Sequence, residues 1–246
     1  MKKPKAILFD LCDTLFLFDP QKLPMVQVNG QEIRSTTGLV HRDLALDPYV
    51  SFEAFYTAFV ETTQDIVRDR EKDHREITSL ERFQKVLRRL NLGPDQIPTP
   101  ALAQAVLTHM NALASALLLP SSHRALVEEI KDKYQISIIT NFDHPPTVHQ
   151  LLRREGMETL FEPVVISADV GWRKPRPEIF QKALDRLGLK AGDTVFVGND
   201  LKIDVAGANT LGIPAVWFNR HHEALPPHFP APDYTLSRLD ELKNFF

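Results

Sequence analysis

The rhythm of apolar and polar positions changes twice along the chain. Residues 5–10 (KAILFD) form a short apolar run of strand length that ends in an acid. From about residue 20 to 119 the pattern becomes helical after one exception. Residues 26–33 (VQVNGQEI) alternate apolar and polar around Asn29-Gly30, a dipeptide suited to a tight hairpin, and predict a small β-ribbon. Beyond it, residues 51–69 place Phe52, Phe55, Phe59 and Ile66 near helical spacing. Helices are also predicted over 79–90 and over 100–119, the latter bounded by Pro98, Pro100 and Pro120. From residue 123 the chain alternates: helix 125–134, strand 136–140, helix 147–155, strand 164–167, helix 178–187, strand 194–198, helix 203–211 and strand 215–218.

Alternation of this kind predicts an α/β fold with a Rossmann-like, doubly wound parallel sheet. The strands read as near-continuous apolar runs, as they must when helices cover both faces of the sheet. The expected organisation is a core built from residues 1–16 and 120–246. Residues 17–119 form an inserted all-helical unit with the short β-ribbon at its start.

Composition narrows the function classes. A chain of 246 residues with 43% hydrophobic content buries a core of ordinary size. The formal charge of -3, with both signs mixed along the chain, gives no basic field for nucleic acid. No stretch approaches the roughly 18 uninterrupted apolar residues of a membrane span. Cys12 is the single cysteine, so no internal disulfide forms, which fits a reducing compartment; cytoplasm is expected. The expected partner is a small molecule.

Open parallel sheets bind ligands beyond the carboxyl ends of their strands. The residues there are Asp10, Thr140 with Asn141, Ser167, and Gly198-Asn199-Asp200, with Asp204 one helical turn on; a loop carrying Lys174 (GWRKPRPEIF, residues 171–180) lies between. A lysine and a threonine can hold phosphate oxygens, and acids can hold a hard cation such as Mg²⁺, which prefers oxygen ligands. Asp10, facing phosphorus, is then the candidate nucleophile, forming a mixed anhydride that water hydrolyses.

Four segments carry a family resemblance: FDLCDTLF (9–16), IITN (138–141), RKPRPEIF (173–180) and VGNDLKIDVAGA (197–208). In this order they resemble the haloacid dehalogenase superfamily of aspartate-nucleophile hydrolases. The helical insert between Asp10 and Thr140 resembles the helical C1-type cap of that family. The resemblance implies catalytic roles for Asp10, Thr140 and Lys174, a substrate contact for Asn141, and Mg²⁺ held by Asp10, the backbone carbonyl of Cys12, Asp204, Asp200 and Asn199. The implied activity is hydrolysis of a small phosphorylated metabolite.

Two positions depart from the pattern. Cys12 stands where the family's phosphatases carry a second aspartate that acts as general acid and base, a contribution of about 10²- to 10⁴-fold. Asn199 stands at the usual first aspartate of the acid-rich loop, followed by Asp200. These departures define two alternatives: a catalytically impaired binding protein of the same fold, and a metal-independent hydrolase like the 2-haloacid dehalogenases. Asp13 is one residue beyond the altered position and is expected to point elsewhere. Asp200 and Asp204 also suit the first turn of a helix, where the dipole favours acids.

Overall fold

The computed structural model describes residues 3–245. Two compact units emerge: one holds the chain up to Phe18 and from Leu118 onward, the other Asp19–Leu117.

In the first unit, among the described residues, six strands form one sheet. We number them β1 (Ala6–Phe9), β2 (Gln135–Thr140), β3 (Val164–Ile166), β4 (Thr194–Gly198), β5 (Ala215–Phe218) and β6 (Tyr234–Leu236). Their order is β6-β5-β4-β1-β2-β3, and every neighbouring pair is parallel. The order reverses direction at β1, so the sheet is doubly wound with β1 at its centre. All four residues of β1 are fully buried, which explains its unbroken apolar run: both faces are covered.

Phe9 is in register with Ile138 of β2 and Val197 of β4. That register brings the loops after β1, β2 and β4 to one edge, where the candidate residues lie. On one face, Leu8, Ile139, Val165 and Phe196 pack with Ile179, Phe180, Ala183 and Leu184 of the helix Pro177–Leu187. The spacing of those four helical residues is one apolar stripe. Gly188 ends the helix in the left-handed conformation, at φ 65°, as C-terminal glycines commonly do.

Three elements differ from the sequence reading. The predicted helix 203–211 opens as a wide turn over Leu201–Val205, in which Val205 N donates to Asp200 O five residues back, before Ala206–Asn209 turns α-helical. The predicted strand 164–167 ends at Ile166, and Ser167 starts a one-turn helix, Ser167–Val170. β6 is three residues long behind a proline-rich stretch, too short to show alternation in the sequence.

The second unit carries the ribbon, Met25–Val28 against Gln31–Arg34, antiparallel with Val26 opposite Ile33. Asn29 and Gly30 both take positive φ, 50° and 76°, as the tight hairpin requires. Helices Thr37–Asp43, Phe52–Asp73, Ser79–Arg89 and Thr99–Ser115 follow. Phe55, Phe83 and His109 are buried together, with the Phe83 and His109 rings edge to face at 5.0 Å. The aromatic residues read from the sequence at 52, 55 and 59 belong to this aromatic cluster.

Candidate active site

β1 stops at Phe9, and the next residue, Asp10, sits in the centre of the sheet edge. Its main-chain N–H donates to Val197 O at 2.9 Å, which continues the sheet by one bond. The side chain is nearly buried. Lys174 Nζ lies 2.6 Å from Asp10 Oδ1 and 2.7 Å from Asp204 Oδ1, so one ammonium bridges two carboxylates that come from the loop after β1 and the turn after β4. Lys174 and Asp204 are each 2% exposed. Charges this deep persist only when paired.

The electrostatics follow from that packing. Burial raises the Asp10 carboxyl, Lys174 opposes the rise and Asp204 adds to it, leaving a pKa of about 6. Burial works against the Lys174 charge, but Asp10 and Asp204 outweigh it, and its pKa lies above the ordinary lysine value.

Other residues complete the edge. Thr14 Oγ1 lies 3.1 Å from Asp10 Oδ2 and 3.2 Å from Asn199 Oδ1. A hydroxyl has one hydrogen, so it serves one of these two acceptors at a time. Thr140, at the end of β2, is buried, and its Oγ1 has no hydrogen-bond partner among the described residues. Such an orphan at a sheet edge is a ready donor for an incoming oxygen.

Asn141, expected at the substrate, has its side-chain amide committed elsewhere. Its Oδ1 accepts from Lys174 N at 2.8 Å and its Nδ2 donates to Lys174 O at 3.0 Å, a two-point clamp on the lysine's main chain. Ser167 Oγ grips Phe142 in the same manner, accepting from its N–H at 3.0 Å and donating to its carbonyl at 3.2 Å. The loop after β2 is therefore fixed to both neighbouring segments.

Asp204 reaches the site because Gly198 makes room for it. Its Oδ2 also accepts from Asp200 N at 3.0 Å. Asp200 itself caps the turn, its Oδ1 accepting from Lys202 N and Ile203 N at 2.8 Å each. The capping role read for Asp200 from the sequence is thus present, and it engages one of the two carboxylate oxygens.

Cys12 is half-buried. Desolvation first, then Asp10 and Asp13, push its thiol far above the ordinary value, so it stays protonated. A thiol that does not ionise exchanges no proton with a leaving group. Asp13 does point elsewhere: its Oδ1 accepts from Phe18 N at 3.2 Å and lies 3.4 Å from Arg220 Nη2. Thr14 escaped the list of site residues drawn from the sequence, although its place four positions after Asp10 belongs to the same motif. Trp217 Nε1 donates to Asn199 O at 3.0 Å, and neither this contact nor that of Arg220 leaves a mark in the sequence.

Among the described residues no three His, Cys, Asp or Glu side chains gather as a metal-binding cluster. The oxygen donors at hand are the carboxyls of Asp10, Asp204 and Asp200, the Asn199 amide oxygen and main-chain carbonyls. One or two carboxylates with waters and substrate oxygens are what Mg²⁺ commonly takes.

The site is thus a buried aspartate tied to a lysine at the carboxyl edge of a doubly wound sheet. The haloacid dehalogenase-like hydrolase family matches residues 4–212, and the chain belongs to that family. It is similar to the pyrimidine 5'-nucleotidase YjjG of Escherichia coli, 31% identical over 96% of this chain and 95% of that one. It is also similar to a glyceraldehyde 3-phosphate phosphatase of Pyrococcus furiosus, 27% identical over 98% of this chain and 92% of that one. A 2-haloacid dehalogenase from Pseudomonas syringae shares the fold with a TM-score of 0.75, at 21% identity over 98% and 97% of the two chains.

Proposed function

We propose that this hydrolase is a Mg²⁺-dependent phosphatase of a small phosphorylated metabolite, working through an aspartyl-phosphate at Asp10. The observation that carries the reading is the buried Lys174 between Asp10 and Asp204, beside the unpartnered Thr140 hydroxyl. Two of the relatives named above, the glyceraldehyde 3-phosphate phosphatase and the pyrimidine 5'-nucleotidase, act on phosphate monoesters by their names, which supports the same bond class here.

Thr140 Oγ1 donates to one phosphoryl oxygen and Lys174 offers a second positive contact while it orients Asp10. The Asp10 carboxylate attacks phosphorus as the ester P–O bond breaks, and the leaving oxygen departs as an anion that takes its proton from solvent. Water then attacks the same phosphorus, the P–O bond to Asp10 breaks, and inorganic phosphate leaves with the carboxylate restored. Thr14 holds Asp10 Oδ2 in place through the cycle.

Asp10, the Cys12 carbonyl, Asn199, Asp204 and Asp200 would hold Mg²⁺ through oxygen alone, the donor type that this ion prefers. When bound it neutralises charge on the phosphoryl oxygens. Lys174 already compensates one of the two buried carboxylates, so metal affinity is expected to be weak until substrate oxygens complete the set. Cys12 supplies no proton, so turnover favours esters whose leaving group departs as an anion. The neutral thiol is also what favours a second reading, a fold that binds phosphate without turning it over.

No helix among the described residues is long and apolar enough to cross a membrane. With the single cysteine free, we place the enzyme in the cytoplasm. The test is hydrolysis of an aryl phosphate with Mg²⁺ and after chelation, beside Asp10→Asn. Turnover that needs Mg²⁺ and vanishes in the variant is expected. No turnover on so good a leaving group would sink the phosphatase reading in favour of the binder.

A further inference from the structure

We infer that Arg220 is a positioning residue for the nucleophile loop, acting through Asp13. The inference rests on the phosphatase reading for its catalytic consequence, and on contacts alone for its structural one. The loop after β1 is a tight reversal: Asp13 N donates to Phe16 O at 2.6 Å and Phe16 N to Leu11 O at 2.8 Å. At its apex Asp13 adopts a left-handed φ of 57°. A residue with a Cβ is uncommon there and is held by its surroundings.

Two contacts hold Asp13. Phe18 N donates to its Oδ1 at 3.2 Å from within the loop, and Arg220 Nη2 approaches the same oxygen at 3.4 Å from across the sheet edge. Arg220 follows β5 by two residues. Its Nε donates to His221 Nε2 at 3.0 Å, which fixes the fork. The same chain segment grips the acid-rich loop: Trp217 Nε1 donates to Asn199 O at 3.0 Å. Asn199 Oδ1 in turn meets Thr14 Oγ1, the neighbour of Asp13.

The end of β5 therefore buttresses both loops that frame Asp10, one through Trp217 and the other through Arg220. A cavity of about 150 Å³ lies between them, lined by Asp13, Asn199, Trp217 and Arg220 among others. What Arg220 secures is the direction of the Cys12 carbonyl and the Thr14 hydroxyl, the residues on either side of Asp13. Asp13 is thereby a structural counter-ion and transfers no proton.

The test is made on the full chain with Arg220→Gln, Arg220→Lys, Asp13→Asn and the double variant. Hydrogen exchange of a peptide covering residues 11–18 reads the clamp directly. Aryl phosphate turnover across pH reads its consequence. Arg220→Gln is expected to speed exchange about 2- to 5-fold, the range of a half-exposed ion pair. It is expected to lower kcat on the order of 10-fold, with the pH profile unmoved, because small displacements of reacting groups are costly. Asp13→Asn should match it, the double variant should be no worse than either single one, and Arg220→Lys should recover part of the loss. Unchanged exchange, additive losses, or a shifted acid limb in Asp13→Asn would overturn the proposal. If the wild-type chain has no turnover the functional reading fails, while the exchange result still decides the clamp.

Discussion

Gly198 and Asp204 share a space that admits only one side chain. A Cβ built on Gly198 would lie 2.6 Å from the Asp204 Cβ and closer still to its Oδ2. The absence of a side chain at the end of β4 is what lets the Asp204 carboxylate fold back beneath Lys174. Gly198→Ala is expected to destabilise the chain by about 1–3 kcal/mol through overpacking. It should also lower phosphatase activity more than that loss explains, because Asp204 must move. Urea unfolding beside kcat at a temperature where the variant stays folded checks both. An active, fully stable Gly198→Ala chain would contradict the close approach.

Lys174 bridges two carboxylates at 2.6 and 2.7 Å. Lys174→Met leaves Asp10 and Asp204 buried side by side. Breaking a buried pair by removing one partner costs about 3–5 kcal/mol. The pH dependence follows from the sign: burial already raises the Asp10 carboxyl to about 6 against the pull of Lys174, and without the ammonium it rises further above its unfolded pKa. A group raised in this way contributes stability that is present at low pH and lost as pH rises through the folded pKa. The variant should therefore gain stability relative to wild type between pH 7.5 and 5.5. Chemical denaturation at those two values decides it, and a deficit that grows on acidification would refute the bridge.

How much of this was legible in the sequence depends on the kind of contact. β1 announced itself because a central parallel strand must be apolar throughout, and Ala6 to Phe9 are all buried. Asp10, Thr140, Asn199 and Asp204 were legible because each ends or follows such a strand, and register then brings the strand ends to one edge. The division of labour among them was not. Whether Asp200 caps a turn or faces a metal depends on how Leu201–Val205 winds, and a wide turn has no hydrophobic period of its own. Asn141 looks from the sequence like a ligand contact, yet its amide spans to the Lys174 main chain. Arg220 and Asp13 lie 207 positions apart and carry no mark of their pairing.

The pH profile of kcat/KM has a sharp expectation. Asp10 must be ionised to attack, and its pKa is raised by burial to about 6. Lys174 is shifted upward and Cys12 is pushed far above its ordinary value, so neither loses its proton near neutrality. Activity on an aryl phosphate should rise through about pH 6 and stay flat to about pH 9, with no thiol limb near the ordinary value of about 8.5. A fall beginning there, abolished by Cys12→Ser, would show a titrating thiol and contradict the burial argument.

Cys12→Asp tests whether the site lacks only its proton donor. The position is flanked by Asp10 on one side of the tight reversal and Asp13 at its apex, so a new carboxylate enters an already negative neighbourhood. Burial and both neighbours push the thiol upward, and the same three causes should raise a carboxyl there. A raised carboxyl is the form that donates a proton near neutral pH. The gain should depend on the leaving group. An aryl ester departs as a stable anion and needs little help, whereas an alkyl phosphate needs the proton during P–O cleavage. Activity on an alkyl phosphate should therefore rise by about 10²-fold or more, within the range of general acid catalysis, while the aryl rate changes little. Both substrates are assayed with Mg²⁺ at pH 7. Equal effects on the two esters would mean that Cys12 limits the site by something other than proton transfer, and the account of the altered motif would have to change.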